Sequence, residues 1–231
     1  MISDKRQARV TGVLYLLLAL LSGLPFIYLS SAIIEPGDAA ATADNVVANA
    51  MLLRVSFVAD LLGIACYVLV AMAFYRLLKY VSRNAAAAMM TFVAVGAALM
   101  GASLLYQFAA LMVATDGSFA TALGQSGSDA LVLMFLDLRI NGYLIAQVFF
   151  GLWLLPLGYM AYKSGRFPRA LGILLTVGCF GYLVDLVARF LAPSFGAALS
   201  PIVLLPAVVA EFWMVGYLLV KGIRPVPAAT A

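Results

Sequence analysis

Six ionisable side chains stand inside long apolar runs: Arg54 and Asp60 in "RVSFVAD", then Arg139, then Asp185 and Arg189 in "GYLVDLVARFL", and Glu211 in "AEFWMVG". A carboxylate in such surroundings must be paired across helices, hydrated in a cavity, or protonated. It can therefore bind a proton or a cationic group, while an arginine can neutralise it or hold an anion. Two carboxylates can also act as acid and base, or ligate a hard cation through oxygen. Histidine is absent from the chain, which removes the commonest general base and metal ligand. No metal site and no cofactor are expected.

Depth separates the six. Asp60 lies nine positions after Met51, roughly 13 Å into its span, and Glu211 lies ten positions after Pro201, roughly 15 Å in. Asp185 precedes Leu191 by six positions, only about 9 Å from that end. All six fall in the outer half or at the midplane, and Tyr106, Gln107, Asn141, Gln147 and Tyr182 occupy a similar band. A shared band on several helices points to an internal polar cavity opening outward, with Asp60, Glu211, Arg54, Arg139, Asp185, Arg189, Gln147 and Asn141 as its candidate lining. The competing reading is structural. Arg54, Arg139 and Arg189 sit close enough to the interface to snorkel. Asp185 and Arg189, spaced i, i+4, can pair on one helix face, and Asp137 can partner Arg139. Asp60 and Glu211 have no basic residue three or four positions away, so they carry the functional expectation.

The elements that must position these groups follow from composition. Of 231 residues, 65% are hydrophobic and 10% charged, with mean hydropathy +1.08. A soluble domain carries about 25% charged residues, so the solvent of this chain is largely lipid. A span needs about 20 apolar residues in helix, and six segments qualify: 10–34, 51–78, 85–114, 139–162, 169–191 and 201–220. Together they predict an all-α, polytopic transmembrane helix bundle, a single integral-membrane domain over residues 1–231. The run Val10–Leu29 exceeds the roughly 7–15-residue core of a secretory signal, so it is expected to be retained as the first span. Glu35-Pro36-Gly37 breaks that helix, and Thr42 or Asp44 is expected to cap a short helical lead into the second span. Leu131–Leu136 is expected as an interfacial turn or an outward extension of span four. Ala94, Ala98 and Ala102, at four-residue spacing, are expected to form a central packing face. Cys66 and Cys179 read as small apolar residues rather than a disulfide or a metal pair.

Lysine and arginine gather in every second connection: Lys5, Arg6 and Arg9; Arg76, Lys79 and Arg83; Lys163, Arg166 and Arg169; Lys221 and Arg224. The other loops carry Glu35, Asp38, Asp44, Asp116 and Asp129. This bias predicts both termini on the cytoplasmic side of a prokaryotic inner membrane. The basic clusters beside apolar runs are not a nucleic-acid footprint. The expected partners are the lipid bilayer and a small solute or proton, and a homo-oligomer is compatible with the compact set of spans.

The stretch "YKSGRFPRALGILL" reads as a tight basic hairpin, with Gly165 suited to a left-handed helix end and Pro168 to the start of the next helix. With "RVTGVLYLLLALLSGLP" before it and "AEFWMVGYLLVKGIRP" after it, the chain resembles the domain of unknown function 4386 family. These are small prokaryotic multi-pass membrane proteins, and the resemblance covers essentially the whole chain. It implies six or seven helices in the inner membrane and brings no activity or site residue with it.

Three functions follow as expectations. The first is binding or transport of a small polar or charged solute through the outward-facing cavity. "FVADLLG" (57–63) and "YLVDLVA" (182–188) each set an aspartate in the middle span of a three-span half, as an inverted repeat would; chance likeness of Val/Leu-rich helices explains the same match. No broken helix is apparent, which counts against a compact transporter. The second is a structural or regulatory membrane protein whose ion network fixes helix packing, with anionic lipid able to gather at Arg76, Lys79, Arg83 and Arg166. The third is an intramembrane carboxylate enzyme, against which stands the lack of any H-E-x-x-H or G-x-S-x-G pattern.

Overall fold

In a lipid-like medium each backbone N–H and C=O must be satisfied within its own segment, so apolar runs of this length become helices. The computed structural model describes residues 4–224. It has helices α1 (Asp4–Tyr28), α2 (Ala39–Ala48), α3 (Ala50–Leu78), α4 (Arg83–Thr115), α5 (Gly117–Leu123), α6 (Gln125–Lys163), α7 (Arg169–Leu191), α8 (Pro193–Val203) and α9 (Leu205–Val220). Among the described residues no strand occurs, and six helical stretches are long and apolar enough to cross a membrane.

Four features refine the sequence reading, each with a physical cause. First, α1 passes Pro25 and ends in a π-helical turn over Leu29–Ile33, where the Ser30 and Ser31 hydroxyls donate to the Phe26 and Ile27 carbonyls and compete with the regular ladder. Second, α2 is capped by Asp38, whose carboxylate accepts from the Ala41 amide at 2.9 Å. Thr42 instead turns inward, where its hydroxyl accepts from the Glu35 amide at 3.0 Å. Third, of the two expectations for Leu131–Leu136 the extension of span four is the one that forms, because α6 starts at Gln125 and runs through it as continuous helix. Fourth, span six starts at Pro193 and is interrupted at Leu204, because Pro206 cannot donate to the Ile202 carbonyl. The absence of broken helices expected from the sequence is thus corrected.

The chain divides into two compact units. One is drawn from Met1–Leu17, Cys66–Ala97 and Ala146–Ala231, the other from Leu18–Ala65 and Ala98–Ile145. Neither corresponds to spans one to three or four to six.

In the first unit, α7 packs against both α8 and α9. Close approach is made possible by glycine. A Cβ on Gly178 would stand 2.7 Å from the Ala207 backbone, one on Gly196 would stand 2.5 Å from the Arg189 amide, and one on Gly181 would overlap the Val203 carbonyl at the break. Gly158 and Gly172 bring α6 and α7 together in the same way. Around these contacts lies a buried aromatic group in which Trp153 meets Tyr15, Tyr67 and Phe74 edge-on at centroid distances of 5.6, 5.4 and 6.3 Å.

The α6–α7 hairpin is the most heavily tied turn of this unit. Gly165 has φ +67, the left-handed conformation expected of it. Arg166 pairs with Asp4 at 2.8 Å and lies 4.7 Å over the Tyr80 ring. Its carbonyl accepts from the Tyr217 hydroxyl at 3.2 Å and from the Arg224 amide at 3.1 Å. The Tyr80 hydroxyl donates to the Ser164 carbonyl at 3.1 Å. The stretch that stood out in the sequence therefore ties the α6–α7 hairpin to α1, to the α3–α4 turn and to α9.

The second unit has its own apolar core of Leu29, Ile33, Val46, Leu53, Leu111, Val132 and Leu136. Here α2 turns its buried Thr42, Ala43 and Val46 inward. Gly63 allows α3 to approach Ser22 of α1, and Gly142 allows α6 to approach Ser103 of α4. The expected packing face of Ala94, Ala98 and Ala102 is exposed; α4 instead buries Val93, Ala97, Met100 and Leu104. An all-apolar helix can present either face to protein, and the face buried here mixes large residues with the small Gly96, Ala97 and Ser103.

Candidate functional site

Three polar networks are built from the spans, one in the second unit and two in the first. In the second unit Asp60 of α3 and Arg139 of α6 are each 1% exposed and pair through Oδ2 and Nη2 at 3.0 Å. Arg139 Nη1 also donates to Ser103 Oγ of α4 at 3.2 Å, and its guanidinium lies 5.5 Å from the Tyr143 ring centroid. One turn along, Gln107 donates to Ser56 Oγ at 3.0 Å and to the Leu53 carbonyl at 3.3 Å. Asp60 Oδ1 and Arg139 Nε are buried without a protein partner. Three helices are thereby cross-linked around one charge pair, and two of its polar atoms are left over.

This geometry corrects the expectation that Arg139 snorkels or pairs with Asp137. Because α6 begins at Gln125, Arg139 is roughly 21 Å along the helix and enclosed by protein. Asp137 is exposed on the same helix. Arg54 is exposed near the start of α3, and its side chain makes no ion pair among the described residues. Asn141 is exposed too, its amide donating to the Asp137 carbonyl at 2.9 Å. Neither joins a network.

In the first unit Asp185 is 1% exposed. Its Oδ2 accepts from Gln147 Nε2 at 2.7 Å, and its Oδ1 accepts from the Ser200 hydroxyl and from Arg189 Nε, the latter at 3.4 Å. Arg189 also donates to Ser200 Oγ at 2.8 Å and keeps its side chain 34% exposed. The i, i+4 pair foreseen in the sequence forms, and it recruits α8 through Ser200 and α6 through Gln147.

The third network is that of Glu211. Tyr15 of α1 donates to Oε2 at 2.9 Å, and Tyr182 of α7 donates to Oε1 at 3.0 Å. Tyr15 is buried against Phe74 and Trp153, whereas Glu211 and Tyr182 are half-buried. Among the described residues, Asp60 and Asp185 have arginine partners, and Glu211 has none. Tyr182 also accepts from Gln147 at its backbone carbonyl at 3.3 Å, which ties the Asp185 and Glu211 networks together.

Sequence reasoning did not single out Tyr15, Ser56, Ser103 or Ser200 as site residues. Tyrosine and serine in apolar runs are too common to signal a network, and here only the pairing of helices identifies them. Among the described residues no group of three or more Asp, Glu, Cys or His side chains is placed to hold a metal.

Six apolar helices with charge networks inside them define a multi-pass α-helical membrane protein. The family model described as "Domain of unknown function (DUF4386)" matches residues 10–222, and the chain belongs to that family. A relative from Archaeoglobus fulgidus, described as an uncharacterized protein, is 32% identical over 160 residues, covering 69% of this chain and 82% of that one. No solved structure matches the chain.

Proposed function

We propose that this protein binds or carries a small cationic solute or a proton, with Glu211 as the group that takes up the positive charge. The observation that carries this reading is the asymmetry among the membrane acids. Asp60 and Asp185 are each neutralised by an arginine, but Glu211 is held by two phenol hydroxyls and no cation. Two neutral donors orient a carboxylate without cancelling its charge, so a positive charge arriving there gains the whole electrostatic benefit. The break in span six, close in sequence to Glu211, is the kind of discontinuity that membrane carriers place at a binding site. The charge bias of the loops supports a prokaryotic inner-membrane protein with both termini cytoplasmic.

A second reading has its own observation. The Asp60–Arg139–Ser103 and Gln147–Asp185–Arg189–Ser200 networks are built from protein groups across several helices, and they serve helix packing and register. In this division the arginine-paired acids hold the bundle and Glu211 does the binding. The homo-oligomer remains part of the proposal, because the spans are few for a carrier.

The test uses the full chain reconstituted in lipid vesicles, with thermal stability and solute uptake followed over a set of inorganic and organic cations and over pH. Wild type and D60N folded at low temperature are expected to respond to the same cation or proton gradient. E211Q, whose amide can accept from one tyrosine hydroxyl and donate to the oxygen of the other, is expected to lose that response. A response unchanged in E211Q would overturn the proposal.

A further inference from the structure

The first unit carries a groove that the networks above do not use. It has a volume of about 680 Å³ and runs between α4 and α7 over a floor made by α6. Ala85, Ala88 and Phe92 form one wall, Ile173 and Val177 the other, and Leu155, Tyr159 and Tyr162 the floor. The hollow has a local cause. Gly158 and Gly172 draw α6 and α7 into contact, whereas α4 faces them with the short side chains of Ala85 and Ala88 before Phe92 closes the wall. The wall on α4 and the floor on α6 each cover eight residues, about 10 Å of helix.

One end of the groove is charged. Arg83 is the first residue of α4, two positions before Ala85, and Arg169 is the first residue of α7, three before Gly172. Lys163 closes α6 next to Tyr162. The Arg169 guanidinium lies 5.8 Å from the centroid of the Tyr162 ring, which lines the groove. All three basic residues are exposed, and no acidic side chain pairs with them among the described residues. An apolar slot roughly half a leaflet deep, ending at unneutralised cations, matches one ligand chemistry: a phospholipid with an anionic headgroup.

We infer that this groove is a binding site for an anionic phospholipid, an acyl chain lying over Tyr159 and Tyr162 and the headgroup phosphate held by Arg83 and Arg169. A zwitterionic lipid fills the same slot but gains little from the arginines. A basic residue near a membrane surface is worth about 1 kcal/mol toward an anionic lipid, or roughly a fivefold preference. Two arginines therefore set an expected preference of roughly thirtyfold.

The experiment is performed on the full chain, delipidated in a maltoside detergent, with lipid binding read by native mass spectrometry and by thermal stabilisation. The probes are dioleoyl phosphatidylglycerol, dioleoyl phosphatidylcholine, and glycerol phosphate as a headgroup without chains. Wild type is expected to prefer phosphatidylglycerol over phosphatidylcholine. R169Q is expected to lose roughly a factor of five of that preference and R83Q with R169Q nearly all of it. Ala88→Phe, which fills the slot, is expected to weaken both lipids. If it does not fold, Ala85→Phe at the mouth tests the same point. Equal binding of the two lipids to wild type overturns the site, as does full retention of lipid by the slot-filling variants. Stabilisation by glycerol phosphate alone would assign the arginines to a soluble anion instead.

Discussion

Arg139 reaches Asp60 across 79 positions of sequence and closes on it at 3.0 Å, with both side chains almost completely buried. The pair is an island of charge in apolar surroundings, so each partner is the other's principal neutralisation. Removing one leaves the other stranded, at a cost of roughly 3–5 kcal/mol. D60N is therefore expected to lower the unfolding temperature in micelles sharply. Replacing both residues with apolar ones of similar size is expected to recover much of the loss. A D60N protein as stable as wild type would show that Arg139 is neutralised elsewhere.

Glu211 should behave differently under mutation. Tyr15→Phe and Tyr182→Phe each delete one neutral donor to its carboxylate, with an expected cost of about 1.5–3 kcal/mol apiece. Tyr182→Phe also leaves the Gln147 contact intact, because that bond is made to the backbone carbonyl. Chemical unfolding of the two variants checks the magnitude. A loss beyond that range would mean that Glu211 is as strongly bound into the structure as Asp60.

Two glycines on neighbouring spans make a paired test of helix approach. A Cβ at Gly181 would overlap the Val203 carbonyl, whereas one at Gly216 meets nothing within 4 Å. Gly181→Ala is expected to destabilise by several kcal/mol, since backbone rather than a pliable side chain stands in the way. Gly216→Ala is expected to be neutral or to stabilise by about 0.5–1 kcal/mol through helix propensity. Thermal unfolding in micelles of both variants decides it, and equal effects would contradict the packing.

Asp116 gives the pH-dependent prediction. It caps α5, and the hydrogen bond from the Ser118 amide, 3.0 Å from Oδ1, holds its carboxyl below the ordinary aspartate value. A depressed value means that the folded helix favours the charged form. The cap's contribution is thus complete above about pH 4, the ordinary range. It fades as the pH falls through the lower value of the folded state. Amide exchange in α5 is expected to quicken in acid, while D116N, which can still cap, should flatten that dependence. An α5 protected equally at acid and neutral pH would refute the cap's role.

Spans were legible because length and hydropathy alone decide whether a run can satisfy its backbone in lipid. The hairpin around Gly165 was legible because a left-handed glycine and a following proline leave little choice. Helix faces were not. Ala94, Ala98 and Ala102 looked like a contact stripe, yet α4 buries the larger Val93, Met100 and Leu104, and an all-apolar helix carries no pattern to tell these apart. The partners of Asp60 were hidden for a related reason. Arg139 seemed to stand at the end of its span, since the helical lead from Gln125 to Leu138 contains Gly, Ser and Asp residues that mask its continuity. Gln147 and Tyr182 were visible as polar residues at a common depth, but only the folded helices reveal that one donates to the other's carbonyl.

The interruption at Leu204 gives span six two separate allegiances. Above it α8 is moored to α7 by Ser200, which meets Asp185 and Arg189, and by Gly196 lying against the Arg189 backbone. Below it α9 carries Glu211 to its two tyrosines. Pro206 has removed one rung, the bond to the Ile202 carbonyl, from the ladder that joins the halves. The span is therefore bent rather than severed: the Leu204 amide still donates to the Ser200 carbonyl and the Val208 amide to the Leu204 carbonyl, each at 3.0 Å, and the one missing rung lets both halves stay seated on α7.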